Sequence, residues 1–225
     1  MGQGISEVLT FAIGVAISPV PIIAVILMLF SQRARVNGPL FLLGWVLALA
    51  VVSGIAYVVA DQSNASSSSS ASDTISWGKI VLGVLFLLLA ARQWRSRPAP
   101  GVQPEMPKWM AGIDAFTPGK ALGIGVLLAG VNPKNLILTI GAATGLAQLG
   151  LSTADAVVSL IVFVVVASLT IAVPVVYYLL GGEHAKTELD SMKGWLALHN
   201  TAVMAVLFLV FGVDLIAKGI PTLTG

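Results

Sequence analysis

The sequence Asn132-Pro133-Lys134-Asn135 stands inside an apolar run from Gly119 to Leu149, with Ile124 to Val131 before it and Leu136 to Ile140 after it. A lysine at that depth in a bilayer costs roughly 2.5–3.5 kcal/mol on insertion scales and must find water or polar partners. The proline beside it removes a backbone donor and clashes with the carbonyl one turn back. The two asparagines add polar groups that hydrocarbon cannot satisfy. Together these residues predict a membrane-crossing helix that is interrupted where it lines a cavity.

The rest of the chain agrees with a membrane setting. A hydrophobic fraction of 57%, a charged fraction of 10% and a mean hydropathy of +0.96 exclude an ordinary soluble domain. The 225 residues hold about six spans of ~20 residues with modest loops, as one transmembrane domain over 1–225. No cysteine is present, which removes disulfides and thiolate metal sites. Met1 to Thr10 lacks a basic segment, so the amino terminus reads as the first span rather than a signal peptide.

In order, the expected spans are Ile5 to Phe30, with Ser18-Pro19-Val20-Pro21 near its middle, then Pro39 to Ala60, Trp77 to Ala91, Gly119 to Leu149, Ala156 to Leu180 and Trp195 to Ala217. Ser31 to Gly38 reads as a polar turn, Asp61 to Ser76 as a flexible external loop, and Gly181 to Lys193 as a mixed-charge loop. Residues 92–118 form a linker with three arginines and several prolines, in which Trp109, Met110, Ile113 and Phe116 mark an amphipathic helix on the membrane surface. Three small-residue pairs signal close helix approach: Ala50 with Gly54, Gly119 with Gly123, and Gly141 with Gly145.

The loops after spans one, three and five hold Arg33, Arg35, Arg92, Arg95, Arg97, Lys108, Lys120, Lys186 and Lys193, against Lys79 and Lys218 on the other side. This bias predicts a plasma-membrane protein with both termini outside and the odd-numbered loops in the cytoplasm. Three spans per half make residues 1–91 and 119–225 inverted repeats. Gly14-Val15 leads to Val20-Pro21 as Gly125-Val126 leads to Asn132-Pro133, each about midway through its helix. Matching interruptions in two halves point to a transporter's central site. The expected fold is therefore all-α, with six transmembrane helices in two inverted three-helix repeats and helices one and four broken at proline motifs.

At Ser18-Pro19-Val20-Pro21 and Asn132-Pro133-Lys134 the sequence resembles the LysE/RhtB superfamily of small bacterial exporters. It looks closest there to the GAP family of peptidoglycolipid- and sulfolipid-addressing proteins, through Lys108-Trp109, Asp114, Pro118-Gly119-Lys120-Ala121-Leu122-Gly123, Asn132 to Leu136, His199-Asn200 and Gly212-Val213. Val20 departs from the glycine that amino-acid exporters usually carry between the two prolines, which weakens an amino-acid substrate. The resemblance implies a six-span bundle, a homodimer, that moves a solute or helps deliver envelope glycolipids to the outer face.

The chemistry-bearing residues cluster at the interruptions. Lys134, in the first turn of the outer half-helix, would hold an anion with help from the helix dipole, or pair structurally with buried carbonyls or an acid. Asn132 and Asn135 bind the same guest or bond the freed backbone. Ser18 lines the cavity or bonds back to its own helix. Pro19, Pro21 and Pro133 form the breaks. Glu7 and Asp214 either relay a proton or sit at the interface, and Asp114 gates the cytoplasmic mouth or faces water. His184 and His199 lack ligand spacing, so no metal is expected, and no cofactor. No phosphate loop or hydrolytic triad is present, so neither an ATP-driven pump nor an enzyme is expected, and no nucleic acid partner.

These residues lead to a secondary exporter of an anionic small molecule or an envelope lipid precursor. The alternatives are a non-transporting partner of an envelope-lipid synthase or exporter, and an amino-acid or small-ion exporter.

Overall fold

The computed structural model describes residues 1–65, 70–97, 112 and 116–220. Among them the chain is all helix: α1 (Gly2–Ala16), α2 (Pro19–Phe30), α3 (Ala34–Ala65), α4 (Ser70–Arg95), α5 (Pro118–Gly130), α6 (Pro133–Ala147), α7 (Thr153–Gly181) and α8 (Ala185–Gly219). Asp114, Lys108 and most of the expected surface helix lie outside the described residues, as do Ser66 to Ser69.

Both expected interruptions are present, and local chemistry explains them. A proline forces the residue before it out of the helical region. Accordingly Ser18 is extended (φ −124°, ψ 91°) and Asn132 has ψ 120°. Pro19 and Pro133 then open the next helix, where a missing N–H costs nothing. Pro21 also falls in the first turn of α2, among N–H groups that have no intrahelical partner. The chain bends by 57° between α1 and α2 and by 60° between α5 and α6.

Several expected loops are helical instead. α3 already begins at Ala34, inside the turn expected over Ser31 to Gly38, and Ala34 is buried. Asp61 to Ala65 complete α3, and Ser70 to Ser76 begin α4, on either side of the serine run. Beyond Gly182, whose positive φ of 55° turns the chain, a short 3-10 turn leads into α8 at Ala185. Polar side chains on an exposed helix face stay hydrated, so polarity alone does not end a helix there.

Among the described residues, two stretches are long and apolar enough to cross a membrane, Ala34–Gln62 and Thr153–Gly219, and up to four if each bent pair counts as one span. Their outward faces carry Leu43, Leu47, Val51, Ile55 and Val58 on α3, and Ile161, Val165, Leu169, Val173, Val176 and Leu180 on α7, all exposed. Apolar stripes of this length on membrane-length helices suit hydrocarbon, and the protein is membrane-embedded.

The chain forms two compact units. In the first, Met1–Gln62 with Glu105–Ala197, α1 packs on α6 and α7, and α2 packs on α7. Phe11 and Glu7 lie against Gly141 and Gly145, so that pair serves side-chain packing from α1. α3 meets α5 more closely: a methyl on Gly44 would collide with the Leu122 carbonyl, and one on Gly125 with the Phe41 carbonyl. Gly54, Gly119 and Gly123 face open space, so the Ala50/Gly54 and Gly119/Gly123 pairs make no such contact among the described residues. In the second unit, Ser63–Pro104 with Leu198–Gly225, Gly83 and Gly212 meet in the same reciprocal way, beside Phe86 and Phe208 with ring centroids 5.4 Å apart.

Candidate functional site

The two breaks meet inside the first unit. α1 ends with carbonyls that no later turn of its own helix can use, because Ser18 is extended and Pro19 has no N–H. Lys134, in the first turn of α6, fills that gap. Its ammonium donates to the Gly14 carbonyl at 2.7 Å, the Ile17 carbonyl at 2.9 Å and the Ser18 Oγ at 2.6 Å. An ammonium has three N–H groups, and these three acceptors take them all. The negative end of the α1 dipole adds to the attraction.

Ser18 passes the interaction on. Its hydroxyl lies 2.7 Å from the Val15 carbonyl and 3.0 Å from the Asn135 Oδ1, and it has one proton to share between them. The Asn135 amide nitrogen donates to the Leu128 carbonyl at 2.9 Å, back across the break between α5 and α6. Asn132 caps α6, its Oδ1 accepting from the Lys134 backbone N–H at 3.1 Å. Lys134, Asn135 and Ser18 are all buried, at 6%, 0% and 3% exposure. A buried ammonium with no carboxylate among these partners is held by dipoles alone, an arrangement that depends on every donor being used.

The junction thus gathers Ser18, Asn132, Lys134 and Asn135 together with Pro19 and Pro133, all expected from the sequence. In this arrangement the ammonium caps α1 and its donors are taken up by the chain itself. Two hydroxyls on the helices around the junction were not anticipated. Thr170 on α7 donates to the Ala16 carbonyl at 2.6 Å and so ties a third helix to the break. Thr139, one turn beyond Asn135 on the same face of α6, is fully buried, and its hydroxyl has no hydrogen-bond partner among the described residues. The only signal for either was a hydroxyl in an apolar run.

The remaining expected residues lie elsewhere. Glu7 packs its carboxylate over Gly145, about two turns before Gly14. Asp214 belongs to the second unit, where it pairs with Lys218 at 3.2 Å. Among the described residues no group of His, Asp or Glu has the arrangement of a metal site. Asn37, also unanticipated, is fully buried and donates to the Phe116 carbonyl at 2.9 Å, fixing the α2–α3 turn to the entrance of α5.

A family model described as Sap, sulfolipid-1-addressing protein, matches residues 8–221. No curated protein and no solved structure matches the chain.

Proposed function

From its membership of the sulfolipid-1-addressing protein family, we propose that this membrane protein handles envelope lipids as a secondary exporter. Its cargo is an envelope lipid precursor or an acidic building block of one. The observation that carries this reading is the cross-linked pair of helix breaks. Each apolar helix pair bends by 57° or 60° at its break, and one ammonium joins the two breaks. Paired breaks of this kind are where carriers bind cargo and where they hinge.

Lys134 acts in turn as a latch and as an anion receptor. An acidic cargo group competes with the Gly14 and Ile17 carbonyls for the ammonium, and α1 is released when it wins. Asn132 and Asn135 hold the exposed backbone meanwhile, and the Thr139 hydroxyl offers the next polar contact along α6. Glu7, Asp114 and Asp214 are candidates for proton coupling or gating.

The same reading takes six spans in two inverted repeats, kinship with the LysE/RhtB exporters, a homodimer, and cytoplasmic odd-numbered loops. Its support is in the packing. α1 of the first half lies on α7 of the second, while α5 of the second half lies on α3 of the first. Each broken span thus packs on the second span of the opposite half, a matched pairing that supports an inverted repeat. α4 and the later part of α8, the third spans of the two halves, fall together in the other unit.

A second reading, a non-transporting partner of an envelope-lipid synthase or exporter, draws on the fact that Lys134 is fully engaged by its own chain. The test is extraction of surface lipids and secreted acids from a deletion strain complemented with wild type or Lys134→Ala, at matched expression and with the purified variant's melting temperature recorded. Wild-type rescue with a folded but inactive Lys134→Ala supports the exporter. Full rescue by Lys134→Ala refutes the central site and leaves the partner role.

A further inference from the structure

α2, the second half of α7 and the start of α8 form a groove of about 510 Å³. Its walls are Ile22, Leu169, Val173, Leu189, Met192 and Leu196, and its rim carries Tyr177, Glu188 and Trp195. Pro174, also in the wall, leaves α7 one backbone donor short on this side. The volume is in the range of pockets that hold small ligands.

The groove has a direction. α7 and α8 run back to back from the turn at Gly182, so Tyr177 and Glu188 lie near the turn, and Leu169 and Leu196 lie deeper. From Leu169 to Tyr177 is eight residues, about 12 Å of helix. One leaflet's hydrocarbon is about 15 Å deep. That length is close to the depth of one leaflet, along α7, whose outer face is apolar and exposed, while the facing start of α8 turns Thr187, Glu188, Asp190 and Ser191 outward.

Charge at the mouth narrows the occupant. Lys186 pairs with Glu183 at 2.8 Å, and Lys193 pairs with Asp190 while lying 5.2 Å from the Phe30 ring centroid. Glu188 is exposed and has no basic partner among the described residues. An anionic headgroup would meet this carboxylate as a like charge, and an ammonium would meet it as a counterion.

We propose that the groove is a binding site for one acyl chain of an amine-bearing membrane lipid of the ethanolamine type, with its ammonium at Glu188. The chain lies along Leu169 and Val173 and reaches Thr170, whose hydroxyl holds the Ala16 carbonyl at the end of α1. A lipid thus touches the helix that braces the break. The site stands whether or not the protein transports anything.

The experiment uses the full-length protein in nanodiscs and a photoactivatable phosphatidylethanolamine labelled on its acyl chain, with the phosphatidylglycerol analogue as the second arm. Labelling is mapped by mass spectrometry. The ethanolamine probe should label residues 169–177 and 189–196 severalfold more than the exposed stripe of α3. Val173→Trp, which fills the groove from its open side, should remove that excess. Glu188→Gln should leave chain labelling in place and abolish the preference for the ethanolamine probe. Equal labelling of groove and α3 stripe, indifference to Val173→Trp, or a wild type that takes both headgroups alike would overturn the proposal. A second copy seated in the groove would also overturn it. Because the chain has no native cysteine, Val173→Cys would report that case as a disulfide-linked dimer without lipid labelling.

Discussion

Gly44→Ala separates packing from helix propensity within a single helix. The added methyl collides with the Leu122 carbonyl oxygen and presses on the Val126 backbone N, and neither atom can rotate away. The two helices must part, which loosens Phe41 and Trp45, both fully buried beside the contact. Overpacking of this kind costs about 1–3 kcal/mol. Close backbone approach also allows Cα–H···O contacts worth perhaps 0.5–1 kcal/mol each, and these are lost as well. Alanine recovers about 0.8–1 kcal/mol of helix propensity. The net loss is therefore about 1–3 kcal/mol.

Gly54→Ala is the matched control, because its new methyl meets open space and it keeps only the propensity gain. Gly125→Ala repeats the collision from the other side, against the Phe41 carbonyl. The double variant Gly44→Ala/Gly125→Ala should cost less than the sum of its parts, since the first methyl has already opened the interface. The assay is thermal or denaturant unfolding of the purified protein in one detergent, read from tryptophan fluorescence, with Trp45 at the interface. Equal melting temperatures for Gly44→Ala and Gly54→Ala would refute the close α3–α5 approach.

Three further perturbations probe other parts of the structure. Thr170→Val removes the donor to the Ala16 carbonyl and should cost about 0.6–1.7 kcal/mol, in line with interhelical hydrogen bonds in membranes, with faster hydrogen exchange at the end of α1 as the specific readout. Asn37→Leu leaves the Phe116 carbonyl without its donor and should cost about 1–3 kcal/mol in the same unfolding assay. Gly182→Ala places a methyl at φ 55° and ψ −131°, a region nearly reserved for glycine, and should cost about 1–3 kcal/mol, while Gly194→Ala, in open helix, should not.

The breaks were legible because proline chemistry is local. Pro19 and Pro133 dictate the conformation of Ser18 and Asn132 from one residue away, and no tertiary contact is needed to foresee it. The partners of the break were not legible in the same way. Lys134 announced only that it needed acceptors; that they would be Gly14, Ile17 and Ser18 depends on the α1–α6 packing, more than a hundred residues away in sequence. Small-residue pairs misled for a related reason. Spacing places Gly119 and Gly123 on one helix face, but which face meets a neighbour is decided by the whole bundle, and α5 turns Gly125 inward instead. Loop boundaries at Ala34 and Ala185 failed because polar composition marks contact with water, which an exposed helix end shares with a turn.

The order in which the ribosome delivers these residues sets a problem of its own. Ser18 and the α1 carbonyls precede Lys134 by 116 residues in the case of Ser18. At roughly 5–20 residues per second, α1 and its break leave the ribosome about 6–23 s before the ammonium that caps them exists. Until then the nascent segment lacks the donor that the Gly14 and Ile17 carbonyls hold in the folded protein. A chain stalled or truncated before α6 lacks that donor permanently.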